Sequence, residues 1–333
     1  MNKVVCSDNI EYLKTLDDNS IDLVVTSPPY DNLRDYSKDG YTLDIHGLGV
    51  ELFRTLKPGG VVVWVVQDAC VKGCRTGSSF RTALDFQDIG FGIWETLIYQ
   101  RRGVWNHKTR FRIDHEYIFV FVKGNRPAYF DKEHMKVPCK HPGAVYTGTT
   151  NIQVDGSRTK AGIIRNGDTK CNGTVFNYNF GGDGSKLKSK HPAVFPNLLA
   201  LDFVECFCPP GGLVLDPYNG SGTTCVAAKS ANRNYLGIDI SEEYCRIAEE
   251  RIATEYIPRP VERKLPDTPN GKLMGEDAEV GYKNALVQLL EGEDNDMLEI
   301  NKVHLMNSID GMAKVVIEDV DNVKKTDITN FFE

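Results

Sequence analysis

Leu213-Val214-Leu215-Asp216-Pro217-Tyr218-Asn219-Gly220-Ser221-Gly222-Thr223-Thr224 is the stretch that decides the fold. Three apolar residues closed by an aspartate read as a buried strand, and Asn-Gly-Ser-Gly cannot continue it. A helix from about Thr223 to Lys229 follows, then a second strand, Tyr235 to Asp239. Ser241 reads as the N-cap of a further helix, with Glu242 and Glu243 in its first turn complementing the dipole. Just upstream, Phe195 to Cys206 reads as an apolar helix that the turn Pro209-Pro210-Gly211-Gly212 ends. Strands alternating with helices predict a parallel, doubly wound α/β sheet.

The N-terminal half carries the same signals. Asn9 to Leu16 places Ile10, Leu13 and Leu16 on one helical face, and Ile21 to Val25 reads as a buried strand. That strand runs into Thr26-Ser27-Pro28-Pro29-Tyr30, which can be neither helix nor continued sheet. A helix is expected to end at Leu56, closed by Lys57-Pro58-Gly59-Gly60. Val61 to Val66, Ile93 to Tyr99 and Glu116 to Val122 read as further strands. From Asp131 to Lys190 periodicity gives way to Gly, Asn, Thr and Lys, the pattern of a loop-rich insert. Pro258, Pro260, Pro266 and Pro269 mark a linker, and Ala285 to Leu290 suggests a small acidic helical appendage. The expected organisation is a first half at 1–130, an insert at 131–189, a second half at 190–256 and a linker with an acidic extension at 257–333.

The 333 residues hold 39 Lys+Arg against 46 Asp+Glu, a net charge of −7 that on its face argues against a polyanion partner. The sum hides a division. Residues 261–333 carry 16 acidic and 8 basic residues, a net of −8, so the other 260 sum to +1. Residues 101–190 hold 17 basic and 7 acidic, a net of +10. A basic insert in a neutral body makes a nucleic acid the partner to test. The 41% hydrophobic content excludes a wholly disordered chain, and Gly 30 with Pro 15 excludes a collagen-like one. The start has no apolar signal core and no apolar run spans a membrane, so a cytoplasmic location is expected. Nine scattered cysteines without a C-x-x-C pair read as reduced thiols. His134, Cys139, His141 and Cys171 are the one conceivable metal set, and the reading without a metal is preferred.

Two motifs carry chemistry. The glycine loop at 216–224 opens a helix at a strand's carboxyl end, where α/β sheets bind ligands. Gly220 and Gly222 admit close backbone approach, and the helix N-terminus offers N–H groups to an anion. It is not a Walker loop, which needs Lys before Ser/Thr, nor a dinucleotide fingerprint, because Cys225 stands where a third glycine belongs. Asp239, closing the next strand, suits ribose hydroxyls and disfavours a 2′-phosphate. In Thr26-Ser27-Pro28-Pro29-Tyr30 two prolines fix the backbone, so carbonyl oxygens and the Ser27 hydroxyl can face a ligand as acceptors. Tyr30 adds a stacking surface, which suits an amino group on an aromatic base.

Together these motifs resemble the S-adenosylmethionine-dependent DNA amino-methyltransferases, over about residues 3–254. The catalytic motif precedes the cofactor loop, as in the circularly permuted beta class. Ser7-Asp8, His115-Glu116-Tyr117-Ile118-Phe119 and Lys190-His191-Pro192-Ala193-Val194-Phe195-Pro196 extend the likeness. The resemblance implies a Rossmann-like methyltransferase sheet and S-adenosyl-L-methionine as cofactor. Asp216, Tyr218, Gly220, Ser221, Gly222 and Thr223 would form the cofactor loop, Asp239 would hold the ribose and Asp8 the adenine amine. Phe195 would belong to the methionine pocket.

It further implies catalysis by Ser27, Pro28, Pro29 and Tyr30 on a base flipped out of double-stranded DNA. Hydrogen bonds from the exocyclic amine to Ser27 and the Pro28 carbonyl would free the nitrogen lone pair for attack on the sulfonium methyl. Arg101, Arg102, Lys108, Arg110 and Arg112 would contact phosphates, and the insert would read the sequence. Ser at position 27 is more typical of cytosine-N4 enzymes, so cytosine is the expected base, with adenine-N6 the alternative. A non-catalytic DNA-binding protein on the same fold is a more distant one. Pro138-Cys139 is read as coincidence, since no strand leads into it and no cysteine nucleophile is needed. A cognate restriction endonuclease is a candidate partner, and the protein is expected as a monomer or homodimer.

Overall fold

In chain order the elements are β1 (Asn2–Cys6), α1 (Asn9–Leu13), β2 (Ile21–Thr26), α2 (Ile45–Thr55), β3 (Leu56–Val66), β4 (Cys70–Val71), β5 (Cys74–Arg75), α3 (Ser78–Ile89), β6 (Gly92–Arg101) and β7 (His115–Val122). There follow β8 (Val137–Pro138), β9 (Val145–Thr147), β10 (Ile163–Arg165), β11 (Thr169–Lys170), β12 (Val175–Tyr178), α4 (Asn197–Phe207), β13 (Leu213–Asp216), α5 (Thr223–Ser230), β14 (Asn234–Asp239) and α6 (Glu242–Thr254). Two last strands, β15 (Val303–Asn307) and β16 (Ala313–Ile317), form an antiparallel hairpin. The structure is a computed structural model that describes residues 2–29, 43–101, 111, 113–147, 152–158, 162–178 and 196–258, with the backbone of that hairpin.

Eight strands make one sheet in the order β1-β14-β13-β2-β3-β7-β6-β12. All pairs are parallel except those of β7, which runs antiparallel to both β3 and β6. The expected doubly wound α/β sheet is therefore present, with one reversed strand. The reversal fits the chain order: β6 and β7 are consecutive strands and neighbours in the sheet, an arrangement open to antiparallel pairing, whereas parallel neighbours need a crossover. β2 and β13 pair through Leu23 with Val214 and Val24 with Leu215, although half the chain separates them.

Both faces of the sheet are covered, so its central strands read as unbroken apolar runs rather than alternating ones. Side-chain period 2 divides them. Leu23, Val25, Val61, Val63 and Val65 face one core with Leu199, Phe203 and Phe207 of α4 and Val226 of α5. Val24, Val62, Trp64 and Val66 face the other with Leu13, Leu48, Leu52 and Phe86 from α1, α2 and α3; Ile21 joins them because the pairing register shifts between it and Leu23. Each fully buried Val or Leu contributes about 1.5–3 kcal/mol relative to exposure, so these interdigitated faces dominate the stability.

Several expected boundaries shift. Lys57-Pro58-Gly59-Gly60 does not lead into a strand at Val61; β3 begins at Leu56 directly after α2. The glycine backbone is carried into the sheet by Gly59 N–H donating to Lys123 O (2.7 Å) and Lys123 N–H donating to Gly60 O (3.0 Å). Gly59 has φ +75°, and a Cβ there would lie 2.6 Å from the Ala128 Cβ, which explains the residue. β1 has no counterpart in the sequence reading. β12, expected inside the insert, is the eighth strand of the main sheet. The helical segment expected at 285–290 lies outside the described residues, and what is described of the tail is the β15–β16 hairpin.

The chain divides into two compact units, Met1–Lys136 with Cys171–Arg263, and Val137–Lys170 with Lys264–Glu333. The first holds the main sheet. The second includes two short antiparallel pairs, β8 with β11 and β9 with β10. All nine cysteines are free thiols. Among the described residues, no helix is long and apolar enough to cross a membrane.

Candidate active site

Because β1, β14, β13 and β2 are adjacent and parallel, their carboxyl ends present Asp8, Asp239, the 216–222 loop and Ser27 along one edge of the sheet. Asp216 is buried at the root of the loop. Its Oδ1 accepts from the Thr26 hydroxyl (2.7 Å) and from Tyr218 N–H (3.1 Å). The Thr224 hydroxyl donates to Val25 O (3.0 Å). Two buried hydroxyls thus stitch the residues just before Ser27 to the glycine loop, so the two motifs form one rigid unit. Ser27 and Pro29 are half-buried there and Pro28 is buried.

Burial pushes the Asp216 carboxyl up to about 6, partly offset by the bonds from Thr26 and Tyr218. A carboxyl raised in the folded state favours folding most below its ordinary value of 3.8 and loses that contribution as pH rises through about 6. At roughly 1.4 kcal/mol per unit, the wild type should lose about 3 kcal/mol between pH 4 and pH 7 relative to Asp216→Asn. Urea unfolding of both proteins across that range measures it; parallel pH curves would refute the assignment.

Asp239 is fixed by backbone donors. Its Oδ2 accepts from Gly220 N–H (2.8 Å) and its Oδ1 from Ser241 N–H (2.9 Å). Burial raises its pKa, and the same two N–H groups oppose the rise. Gly220 and Gly222 have φ +48° and +81°. A Cβ on Gly222 would lie 2.8 Å from the Ala248 Cβ of α6, so the loop is pressed against that helix. Asn219 lies over Gly237, where a Cβ would sit 2.5 Å from its amide. Asp8 caps α1 by accepting from Glu11 N–H at 2.9 Å. Tyr218 meets Trp64 edge-on, with ring centroids 6.5 Å apart.

The loop suits a polar, nucleoside-bearing cofactor. Asn219 Nδ2 and Asn9 Oδ1 are buried without a hydrogen-bond partner among the described residues, a donor and an acceptor beside the loop. Asn9 is held there by donating its Nδ2 to Pro217 O (3.2 Å). The glycine cradle excludes side chains while the α5 N-terminus offers backbone N–H groups.

Not every expected residue stands where the sequence reading put it. Arg101, read as a phosphate contact, is turned into the protein: its guanidinium lies 3.0 Å from the carboxylate of buried Glu116 and 3.4 Å from Gln67 Oε1. Tyr30, Arg102, Lys108, Arg110, Arg112 and Phe195 lie outside the described residues. Sequence reasoning missed Thr26 and Thr224 as ties between the motifs, and it missed Arg251 altogether. Arg251, on α6, is completely buried beneath the glycine loop. A lone arginine on an amphipathic helix carries no signal of burial in sequence.

The sequence model of the N6_N4_Mtase family, described as DNA methylase, matches residues 21–250. The orphan methyltransferase M.BamHII of Bacillus amyloliquefaciens is 37% identical over 256 residues, covering 73% of this chain and 93% of that one. Type II methyltransferase M.SmaI of Serratia marcescens is 31% identical over 294 residues, covering 75% and 90%. Among solved structures, the cytosine-N4-specific PvuII DNA methyltransferase superposes with a TM-score of 0.56 at 19% identity, over 86% of this chain and 94% of that one. The M1.HpyAVI–SAM complex does so at 0.52 and 19%, over 76% and 99%. At these identities the structural likeness speaks for the fold.

Proposed function

The chain belongs to the N6/N4 DNA methylase family and is an S-adenosylmethionine-dependent DNA methyltransferase, and from that premise we propose that it methylates the exocyclic N4 of cytosine in double-stranded DNA. The observation that carries the choice of base is Ser27, a neutral hydroxyl directly before Pro28-Pro29, anchored one residue from the Thr26–Asp216 bond.

An exocyclic amine is a poor nucleophile because its lone pair is delocalised into the ring. The Ser27 hydroxyl and the Pro28 carbonyl accept its two N–H bonds and draw the nitrogen towards tetrahedral geometry. The two prolines hold these acceptors in place before the base arrives, so little reorganisation remains at the moment of reaction. Tyr30 stacks the flipped ring and excludes water. Bound S-adenosylmethionine supplies a methyl group on an electron-poor sulfonium. Asp239 takes the ribose hydroxyls, Asp8 the adenine amine, and residues 216 to 223 with Phe195 the amino-acid end.

The basic block at 101–190 supplies the phosphate contacts, with Arg102, Lys108, Arg110 and Arg112 as the candidates. Arg101 is assigned instead to the buried pair with Glu116. The Type II relatives make a restriction endonuclease of matching specificity a natural partner.

The test is methyl transfer from labelled S-adenosylmethionine to mixed-sequence duplex DNA, followed by digestion to nucleosides and mass spectrometry. N4-methylcytosine is expected. N6-methyladenine would overturn the choice of base while leaving the motif reading intact. No transfer by a folded sample that binds cofactor would support the non-catalytic reading instead.

A further inference from the structure

Arg251 is a fully buried arginine with five side-chain hydrogen bonds, three of them to the glycine loop. One terminal nitrogen donates to Ser221 O (2.6 Å), Ser221 Oγ (3.1 Å) and Thr223 Oγ1 (3.2 Å). The other donates to Asn197 Oδ1 (3.3 Å), in the first residue of α4. Nε donates to Glu255 (2.9 Å), whose side chain reaches towards solvent at 19% exposure. Ser221, Thr223 and Asn197 are themselves buried.

Three consequences follow. Pulling the Ser221 carbonyl towards Arg251 fixes the plane of the next peptide, whose Gly222 N–H donates the opposite way to Asn219 O (2.7 Å). Because Arg251 donates to both hydroxyl oxygens, Ser221 and Thr223 each keep their own proton to donate, the polarity that a carboxylate requires. And Asn197 stands two residues after Phe195, assigned above to the methionine pocket, so one guanidinium ties the loop to the start of the helix that follows that residue. Ala248, one turn earlier on the same helix face, sets how closely the loop may approach.

We propose that Arg251 is the positioning residue of the cofactor site: it joins the Ser221–Thr223 loop to the start of α4 and turns the loop hydroxyls into donors for the cofactor's amino-acid carboxylate. The proposal rests on the reading that residues 220–223 receive that end of the cofactor. It therefore makes a selective demand. Removing the guanidinium should hurt ligands that carry the carboxylate and spare those that lack it.

The experiment compares Arg251→Met and Arg251→Lys with wild type in the full-length protein. Calorimetry measures binding of S-adenosylhomocysteine and of 5′-methylthioadenosine, which lacks the amino-acid end. Arg251→Met should weaken S-adenosylhomocysteine by about 30-fold or more, the effect of losing hydrogen bonds to a charged group, and 5′-methylthioadenosine by no more than about threefold. Arg251→Lys should fall between, because an ammonium cannot reproduce the planar fork. In turnover, KM for the cofactor should rise while kcat at saturation stays within about threefold. Equal weakening of both ligands, or a lowered melting temperature with unchanged selectivity, would reduce Arg251 to a structural role. Wild type that binds 5′-methylthioadenosine as tightly as S-adenosylhomocysteine would defeat the underlying loop reading instead. Should Arg251→Met fail to fold, Arg251→Lys carries the same comparison with the same outcomes at its smaller expected effect.

Discussion

Replacing Ser27 by alanine is expected to lower kcat about 100- to 1,000-fold with cofactor affinity unchanged within a factor of two, the usual result of removing one preorganised polar group at a reacting centre. The reasoning is positional. Ser27 follows the last residue of β2, and the backbone there is held twice, by Thr26 on Asp216 and by Thr224 on Val25 O. Alanine preserves that backbone, so the cofactor loop should not notice the change. On the proposed reading, what disappears is one of the two acceptors that would make the amine nucleophilic. Rapid-quench single turnovers at saturating DNA separate this from product release. A loss under tenfold would take the hydroxyl out of the chemical step. A matching loss of cofactor affinity would move it to the cofactor site.

The second large effect is at Gly222. With φ +81° and only 2.8 Å between its missing Cβ and that of Ala248, Gly222→Ala adds a strained backbone to a collision with α6. The backbone part is worth about 1–2 kcal/mol. The steric part cannot be relieved cheaply, since the Ala248 Cα is itself 3.0 Å away and belongs to a helix. Separation of loop and helix is expected, with cofactor affinity down about 100-fold and a melting temperature several degrees lower. Adding Ala248→Gly removes the nearest colliding atom while leaving the φ strain, so the double variant should recover part of the affinity, not all. Full recovery would show that backbone strain contributes nothing; no recovery would show that the collision is not with α6.

Legibility of the molecule in its sequence followed the range of the interactions. β13, α5, β14 and the Ser241 cap lie within a residue or two of their expected places, because buried apolar runs, glycines and a cap serine act locally. The edge strand β1 was not visible: its five residues are largely exposed, so no apolar run announced it. Pro58-Gly59-Gly60 reads as a stop in any local scheme, and only the Lys123 backbone across the sheet makes it strand. The site divided in the same way. The aspartates and glycines of the loop were readable from their place after a strand. Arg101 and Arg251 were not, since one turns inward to Glu116 and the other lies under the loop through partners at positions 197, 221 and 223. Thr26 looked like part of a motif, and its purpose emerges only from a carboxylate 190 residues further on.

That last distance has a consequence for how the protein is made. The ribosome delivers β2 and β3 long before β13 exists, and at about 5–20 residues per second the gap lasts on the order of 10 to 40 seconds. During that interval the nascent chain has Ser27 and the β2–β3 pair but not β13 on the other side of β2. β1 waits longer still, until β14 emerges to pair with it. The strand ends that carry Asp8, Ser27, the 216–222 loop and Asp239 therefore meet only when nearly the whole sheet has left the exit tunnel. The same layout means that the Val137–Lys170 segment separates two stretches of chain whose strands interleave, pairing β1 with β14, β2 with β13 and β6 with β12.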